Sequence, residues 1–255
     1  MLFDSMKRKR LEEVDQPATE NDLEVFKQLS IPGVLLLNSK SQGGKSHAVK
    51  FIMYENRGKF DYTISFSQSS FNAENLDYIH RRFKHLRYEP EVLRKILLKR
   101  AATSKPRKPI CIIFDDCISD IIEKDRVLKE CVTQSTHYDV FVILTTQSIN
   151  ALPTWVRENA FQIILFKMFS ESAINAAYQS YGQDFGTLIQ FKEEVNNRLG
   201  NYVFAFSDRH GNGDWLFLKC PAKIPHFQLK IQGETWNEFD KPRKKRKKTK
   251  KKEAE

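Results

Sequence analysis

The chain has 255 residues, 40% of them hydrophobic, which supplies one sizeable core, and no apolar run approaches the roughly 20 residues a membrane-spanning helix needs. Four cysteines without a close CxxC pair and six histidines without HExxH spacing argue against a zinc site or a disulfide framework and for reduced thiols. The net charge of +10 is concentrated: residues 241–255 hold ten Lys or Arg against two Glu, leaving the rest of the chain nearly neutral.

The first twenty residues are polar, carry the basic cluster Lys7 to Arg10, show no sustained periodicity and have no apolar stretch like a secretory signal; a flexible segment on the cytosolic or nuclear side is expected. One folded domain is expected over residues 21–230. It opens with a short helix over 21–29, capped by Asn21 or Asp22. After Pro32-Gly33, Val34 to Leu37 read as a strand buried on both faces, and Ala48, Val49, Ile52 and Met53 repeat at helical spacing beyond a polar loop. "DYTISFS" (61–67) alternates as a second strand. Residues 73–103 hold two helical candidates divided near Pro90, and "SKPRKP" is a loop. Ile110 to Phe114 form another apolar strand, followed by a helix over about 119–135, a strand at "DVFVILTTQ" and a fifth at "FQIILF". Helices near 171–180 and 184–198 precede a terminal hairpin of "YVFAFS" and "WLFLK". Strands alternating with helices predict an α/β fold with a mostly parallel sheet covered on both faces.

The polar loop is where the chemistry begins. Its residues 39–46 (Ser39, Lys40, Ser41, Gln42, Gly43, Gly44, Lys45, Ser46) match GxxxxGK[ST] except that serine holds the first glycine position. A buried strand enters this loop and an amphipathic helix leaves it, so free backbone N–H groups can face a phosphate. In that reading Gly44 permits close backbone approach, Lys45 reaches the β- and γ-phosphates, and the Ser46 hydroxyl binds Mg²⁺. Glycine at position 39 would allow backbone angles that serine tolerates less well.

Such a loop needs an acidic strand end, and "ICIIFDD" supplies one: Asp115 for the metal and Asp116 to polarise water, with a helix-capping role for Asp116 as the alternative. "VFVILTTQ" ends in Gln147 on the same sheet edge, where it touches the γ-phosphate, orients water or merely turns the chain. Arg157, in "LPTWVREN", reads as an ordinary surface arginine unless subunits form a ring, in which case it crosses to a neighbour's γ-phosphate. The tail from 231, ending in "KPRKKRKKTKKK", has too little to bury and is expected to be disordered; it suits either a nuclear localisation signal or an arm for phosphate backbones.

Taken in order, the GGKS loop, "YTISFSQSS", "ICIIFDD", "VFVILTTQ" and "LPTWVRENAFQIILF" resemble the viral genome-packaging ATPases of the FtsK/HerA superfamily, the poxvirus-type family found also in large DNA viruses, virophages and polinton-like elements. The resemblance spans about residues 30–220. It implies a RecA-like P-loop fold, Lys45 and Ser46 as the Walker A pair, Asp115 and Asp116 as the Walker B pair, Gln147 as a sensor and Arg157 as a trans-acting arginine finger. It further implies ATP and Mg²⁺ as cofactors, double-stranded DNA and a capsid or portal protein as partners, and a homo-oligomeric ring, commonly hexameric, with no membrane role. The expected location is the host nucleus, a cytoplasmic virus factory or the virion. Two departures stand out: Ser39 for glycine and Asp116 where glutamate is frequent. The rival expectations are a helicase or replication-associated ATPase acting on single strands, and a non-hydrolysing DNA-binding protein.

Overall fold

The computed structural model describes residues 20–67, 76–102, 108–117, 125–200, 202–210 and 213–229. The expected flexible segment before residue 20, the basic tail and the start of the helix predicted at 119 lie outside these residues.

Three continuous apolar runs form the centre of one sheet. β1 (Gly33–Asn38) and β5 (Val140–Thr146) are buried along their whole length, and β4 (Ile110–Asp115) is buried up to its terminal aspartate. Strands without an outward polar face can exist only where helices cover both sides, and that is the environment they occupy. With β2 (Thr63–Ser67), β3 (Lys84–His85), β6 (Gln162–Leu165), β7 (Val203–Asp208) and β8 (Trp215–Lys219), they make an eight-stranded sheet in the order β3-β2-β4-β5-β1-β6-β7-β8. The strands from β3 to β6 in that order are mutually parallel, while β7 and β8 add antiparallel. Strand β5 therefore lies between the phosphate-loop strand β1 and the acidic strand β4.

The helices are α1 (Glu20–Lys27), α2 (Lys45–Glu55), α3 (Pro90–Ala102), α4 (Arg126–Thr133), α5 (Thr154–Asn159), α6 (Glu171–Tyr181) and α7 (Leu188–Arg198). Local chemistry sets their ends. Asp125 caps α4 by accepting from the N–H groups of Val127 and Leu128, both at 2.9 Å, and Thr187 with Gln190 forms a capping box on α7. The expected apolar face of α2 is buried, with Phe51 added to it. Between α1 and α2 the buried Asn56 side chain donates to Phe26 O and Ile52 O.

Four expectations change. α1 begins at Glu20, so Asn21 and Asp22 fall inside the helix instead of capping it. β2 does not alternate: all five residues are buried, because β3 and β4 flank it and Phe66 stacks on Phe114 with ring centroids 5.3 Å apart. Over residues 76–89 the first predicted helix is replaced by a 3₁₀ turn (Arg81–Phe83) and the two-residue β3. Aromatic packing decides that stretch, since Phe83 stacks on Tyr62 at 5.5 Å and Tyr78 on Phe227 at 5.0 Å, anchoring the chain at spacings no helix would match. Finally, α5 is an element that the sequence pattern does not predict.

Candidate nucleotide site

The parallel strands end at one sheet edge, and the loop begins there. The β1–β5 ladder continues one step past β1, with Ser39 N donating to Thr146 O at 3.1 Å. The left-handed backbone angles of the loop fall on Gln42 (φ 58°) and Gly44 (φ 98°), not on Ser39. Serine in the leading position therefore carries no left-handed strain. Its cost appears across the loop instead: a Cβ on Gly43 would lie 1.8 Å from Ser39 Oγ and 3.1 Å from Lys40 O, so a side chain at position 43 would force the Ser39 hydroxyl to turn away and the Lys40 carbonyl to give.

Lys45 opens α2 and is only 5% exposed. An ammonium so enclosed requires partners, and its Nζ donates to Ser39 O at 2.7 Å and pairs with Asp116 Oδ1 at 3.3 Å. Ser46 follows on the same first turn.

Asp115 ends β4 in register with Ser67 of β2 and Thr145 of β5. Register neighbours in a parallel sheet point to the same face, which brings three polar side chains into one row. Thr145 Oγ1 donates to Asp115 Oδ1 at 2.8 Å, and Ser67 Oγ donates to Asp115 Oδ2 at 3.0 Å. The chain then turns sharply at Asp116 (φ 48°), whose N–H donates to Thr145 Oγ1 at 3.0 Å. Asp116 Oδ2 accepts from Gln147 Nε2 at 3.3 Å. Its side chain thus spans Lys45 and Gln147, and it caps no described helix, Asp125 holding that role on α4.

These groups share a cleft of about 550 Å³, lined by residues 40–47 together with Ser67, Asp115, Asp116 and Gln147. Magnesium prefers oxygen donors and takes one or two carboxylates beside phosphate oxygens and water. The Ser46 hydroxyl and the Asp115 carboxylate, both facing this cleft, fit that requirement. A second cavity of about 560 Å³ adjoins it through Lys40, Gln42, Gly43, Gly44 and His47 and continues to Phe166, Phe169 and Tyr202. Its walls are aromatic: Phe169 is 67% and Tyr202 46% exposed, large values for such side chains. His47 Nε2 lies 2.7 Å from Pro221 O, its ring packs edge-on against Tyr202, and Lys40 Nζ sits 3.8 Å over the Phe169 ring.

Arg157 does not join them. It lies on α5, which leads to the N-terminal end of β6, so it sits toward the sheet edge opposite Lys45. Its Nη2 donates to Thr154 Oγ1 at 3.2 Å, its carbonyl accepts from Tyr181 Oη at 3.4 Å, and its buried Nε has no hydrogen-bond partner among the described residues. Cys117, next to the acidic pair, is no nucleophile: burial, reinforced by the Asp115 carboxylate, pushes its thiol up to about 12. All four cysteines are free thiols.

The sequence pattern missed Ser67 and the hydroxyl role of Thr145, although both end strands at the site edge. It also missed the aromatic cavity, whose residues come from four separate stretches of chain.

No family model matches the chain. It is 21% identical over 220 residues to the uncharacterized protein 075L of Invertebrate iridescent virus 6, covering 82% of this chain and 85% of that one. Among solved structures, the genome packaging NTPase B204 of Sulfolobus turreted icosahedral virus 2, in complex with ATP-gammaS, superposes with a TM-score of 0.57 at 18% identity, over 75% of this chain and 98% of B204. The chain shares the fold of these P-loop ATPase structures, a mostly parallel sheet flanked by helices with a C-terminal antiparallel hairpin. ATPases 2 and 3 of EssC from Geobacillus thermodenitrificans share it at a TM-score of 0.53 and 12% identity, over 79% of this chain and 40% of theirs. Within this fold Lys45 and Ser46 come from the first turn of α2, Asp115 from the end of β4, and Asp116 and Gln147 from the residues directly after β4 and β5.

Proposed function

We propose that the protein is an ATP-driven double-stranded DNA translocase that packages a viral genome into a capsid. The observation that carries the reading is the convergence of Lys45, Ser46, Asp115, Asp116 and Gln147 on one cleft in a fold shared with a packaging NTPase. The ATP phosphates lie on residues 39–46, with Lys45 exchanging Asp116 and Ser39 O for the β- and γ-phosphates. Ser46 and Asp115 would hold a magnesium ion, which would offset the charge of the phosphates. Asp116, freed from Lys45, accepts the proton of the attacking water, which Gln147, its Nε2 3.3 Å from Asp116 Oδ2, orients. The base and ribose extend into the aromatic cavity beside His47 and Tyr202.

Arg157 completes the site of a neighbouring subunit. A guanidinium at the far sheet edge cannot serve its own loop, whereas in a closed ring that edge meets the next subunit's cleft. The expected assembly is a homo-oligomeric ring, with hexamers as the leading case, acting on duplex DNA beside a capsid or portal protein. The basic tail grips DNA or directs the chain to the nucleus, and the protein works in the nucleus, a virus factory or the virion.

The test is ATP hydrolysis by purified protein, with and without DNA. Turnover stimulated more by duplex than by single strands, and abolished in Lys45→Ala, is expected. In Asp116→Asn, turnover should fall by about 10²–10⁴-fold with nucleotide binding retained. Stronger stimulation by single strands would favour a helicase, and DNA binding without any hydrolysis would make the chain a passive DNA-binding protein.

A further inference from the structure

Thr145 is buried at the end of β5, and its hydroxyl makes two contacts of different kind. It donates to Asp115 Oδ1 at 2.8 Å and accepts from Asp116 N at 3.0 Å. One oxygen thereby fixes a side-chain carboxylate on one residue and the backbone of the next. The adjacent Thr146 does neither: its Oγ1 donates to Ser148 O at 2.9 Å and serves the turn. Ser67 holds the other oxygen of Asp115, from the opposite side, and has no hydrogen bond to Asp116.

We propose that Thr145 is a positioning residue that couples the metal-side carboxylate to the water-activating one. Resting on the ATPase reading above, this inference gives Thr145 a role distinct from that of Ser67. Asp115 is gripped by two hydroxyls and keeps one when either is removed. Asp116 stands on a left-handed turn that no glycine relieves, and the Thr145 hydroxyl is the acceptor for its N–H. Without that acceptor the N–H has to find another partner, the turn relaxes, and the Asp116 carboxylate leaves the position between Lys45 and Gln147. The hydroxyl acts through hydrogen bonds that reacting groups do not replace, so its removal falls on turnover and metal use and leaves nucleotide capture intact.

The experiment uses the full chain and compares Thr145→Val, which keeps shape but lacks the hydroxyl, with Thr145→Ser, which keeps the hydroxyl, and Ser67→Ala. Thr145→Val should lower kcat by about tenfold to a hundredfold and raise the Mg²⁺ concentration for half-maximal turnover severalfold, with the dissociation constant for ATP-gammaS within about twofold of wild type. Thr145→Ser should restore most of kcat, and Ser67→Ala should shift the Mg²⁺ requirement with a smaller loss of kcat. A Thr145→Val protein with unchanged kcat and Mg²⁺ dependence overturns the inference alone, as does a Thr145→Ser protein as impaired as Thr145→Val. Should Thr145→Val not fold, the Ser and Ser67→Ala arms decide: a Ser67→Ala protein that loses as much kcat as Asp116→Asn overturns the division of roles, and a pure Mg²⁺ shift supports it. Absence of any hydrolysis by the wild-type chain overturns the ATPase reading and this inference together.

Discussion

Gly43→Ala tests whether Ser39 and Gly43 form a matched pair. The added Cβ would sit 1.8 Å from Ser39 Oγ, 3.2 Å from Ser39 Cβ and 3.1 Å from Lys40 O. Unstrained contacts of carbon atoms begin near about 3.5 Å, so the closest approach falls short by roughly 1.7 Å. Rotating the Ser39 hydroxyl removes the worst clash and leaves the one with Lys40 O, which is backbone. The loop must therefore give by a few tenths of an ångström beside Ser39 O, which holds Lys45 Nζ at 2.7 Å. Overpacking of this kind costs about 1–3 kcal/mol, equivalent to roughly fivefold to 150-fold weaker ATP binding if it falls wholly on the bound loop. Titration with a fluorescent ATP analogue measures this directly, with thermal unfolding as a control for global damage. The double variant Ser39→Gly with Gly43→Ala removes the Ser39 hydroxyl and Cβ, leaves only the contact with Lys40 O, and should recover part of the affinity, a coupling of about 1 kcal/mol. Wild-type affinity in Gly43→Ala, or a double variant no better than the single one, would refute the pairing.

Two other outcomes are expected. Arg157→Ala and Lys45→Ala proteins should each be inactive alone, yet regain part of the DNA-stimulated ATPase activity when mixed, since an intact loop then meets an intact arginine across the interface; no recovery on mixing argues against a trans role. Removing residues 241–255 should flatten the dependence of log K for duplex DNA on log salt by about 0.9 for each phosphate that the tail neutralises, measured by fluorescence anisotropy, and an unchanged slope would make the tail an address signal.

The central strands are legible in the sequence because a parallel sheet buried on both faces demands continuous apolar runs, and Val34 to Leu37, Ile110 to Phe114 and Val140 to Leu144 have no other use. The phosphate loop and the acidic pair are legible because their residue types and order are tied to strand ends. Less visible are features that depend on partners distant in sequence. Ser65 and Ser67 make β2 look half-exposed, yet both are buried, and Ser67 is there to hold Asp115. Tyr78 and Phe83 draw residues 76–89 away from a helix through rings on Phe227 and Tyr62. Buried Arg100 looks like a helix-surface residue, but its guanidinium donates to the carbonyls of Lys108, Tyr138 and Asp139 and ties α3 to the turn before β5. At Ser39 the residue type points to backbone angles as the limit on the loop, whereas the limit is space beside Gly43.

The end of β5 behaves as a beam resting on both banks of the cleft. Three consecutive residues touch different parts of it: Thr145 the two aspartates, Thr146 the start of the phosphate loop through Ser39 N, and Gln147 the carboxylate of Asp116. Gln147 and Arg157 are ten positions apart, joined by a 3₁₀ turn (Ile149–Ala151) and the first turn of α5. A pull on the guanidinium from outside the subunit therefore has a short covalent route back to the residues that hold the acidic pair. In the proposed ring, that wiring would let neighbouring subunits fire in sequence instead of at random, with the timing carried by one strand end.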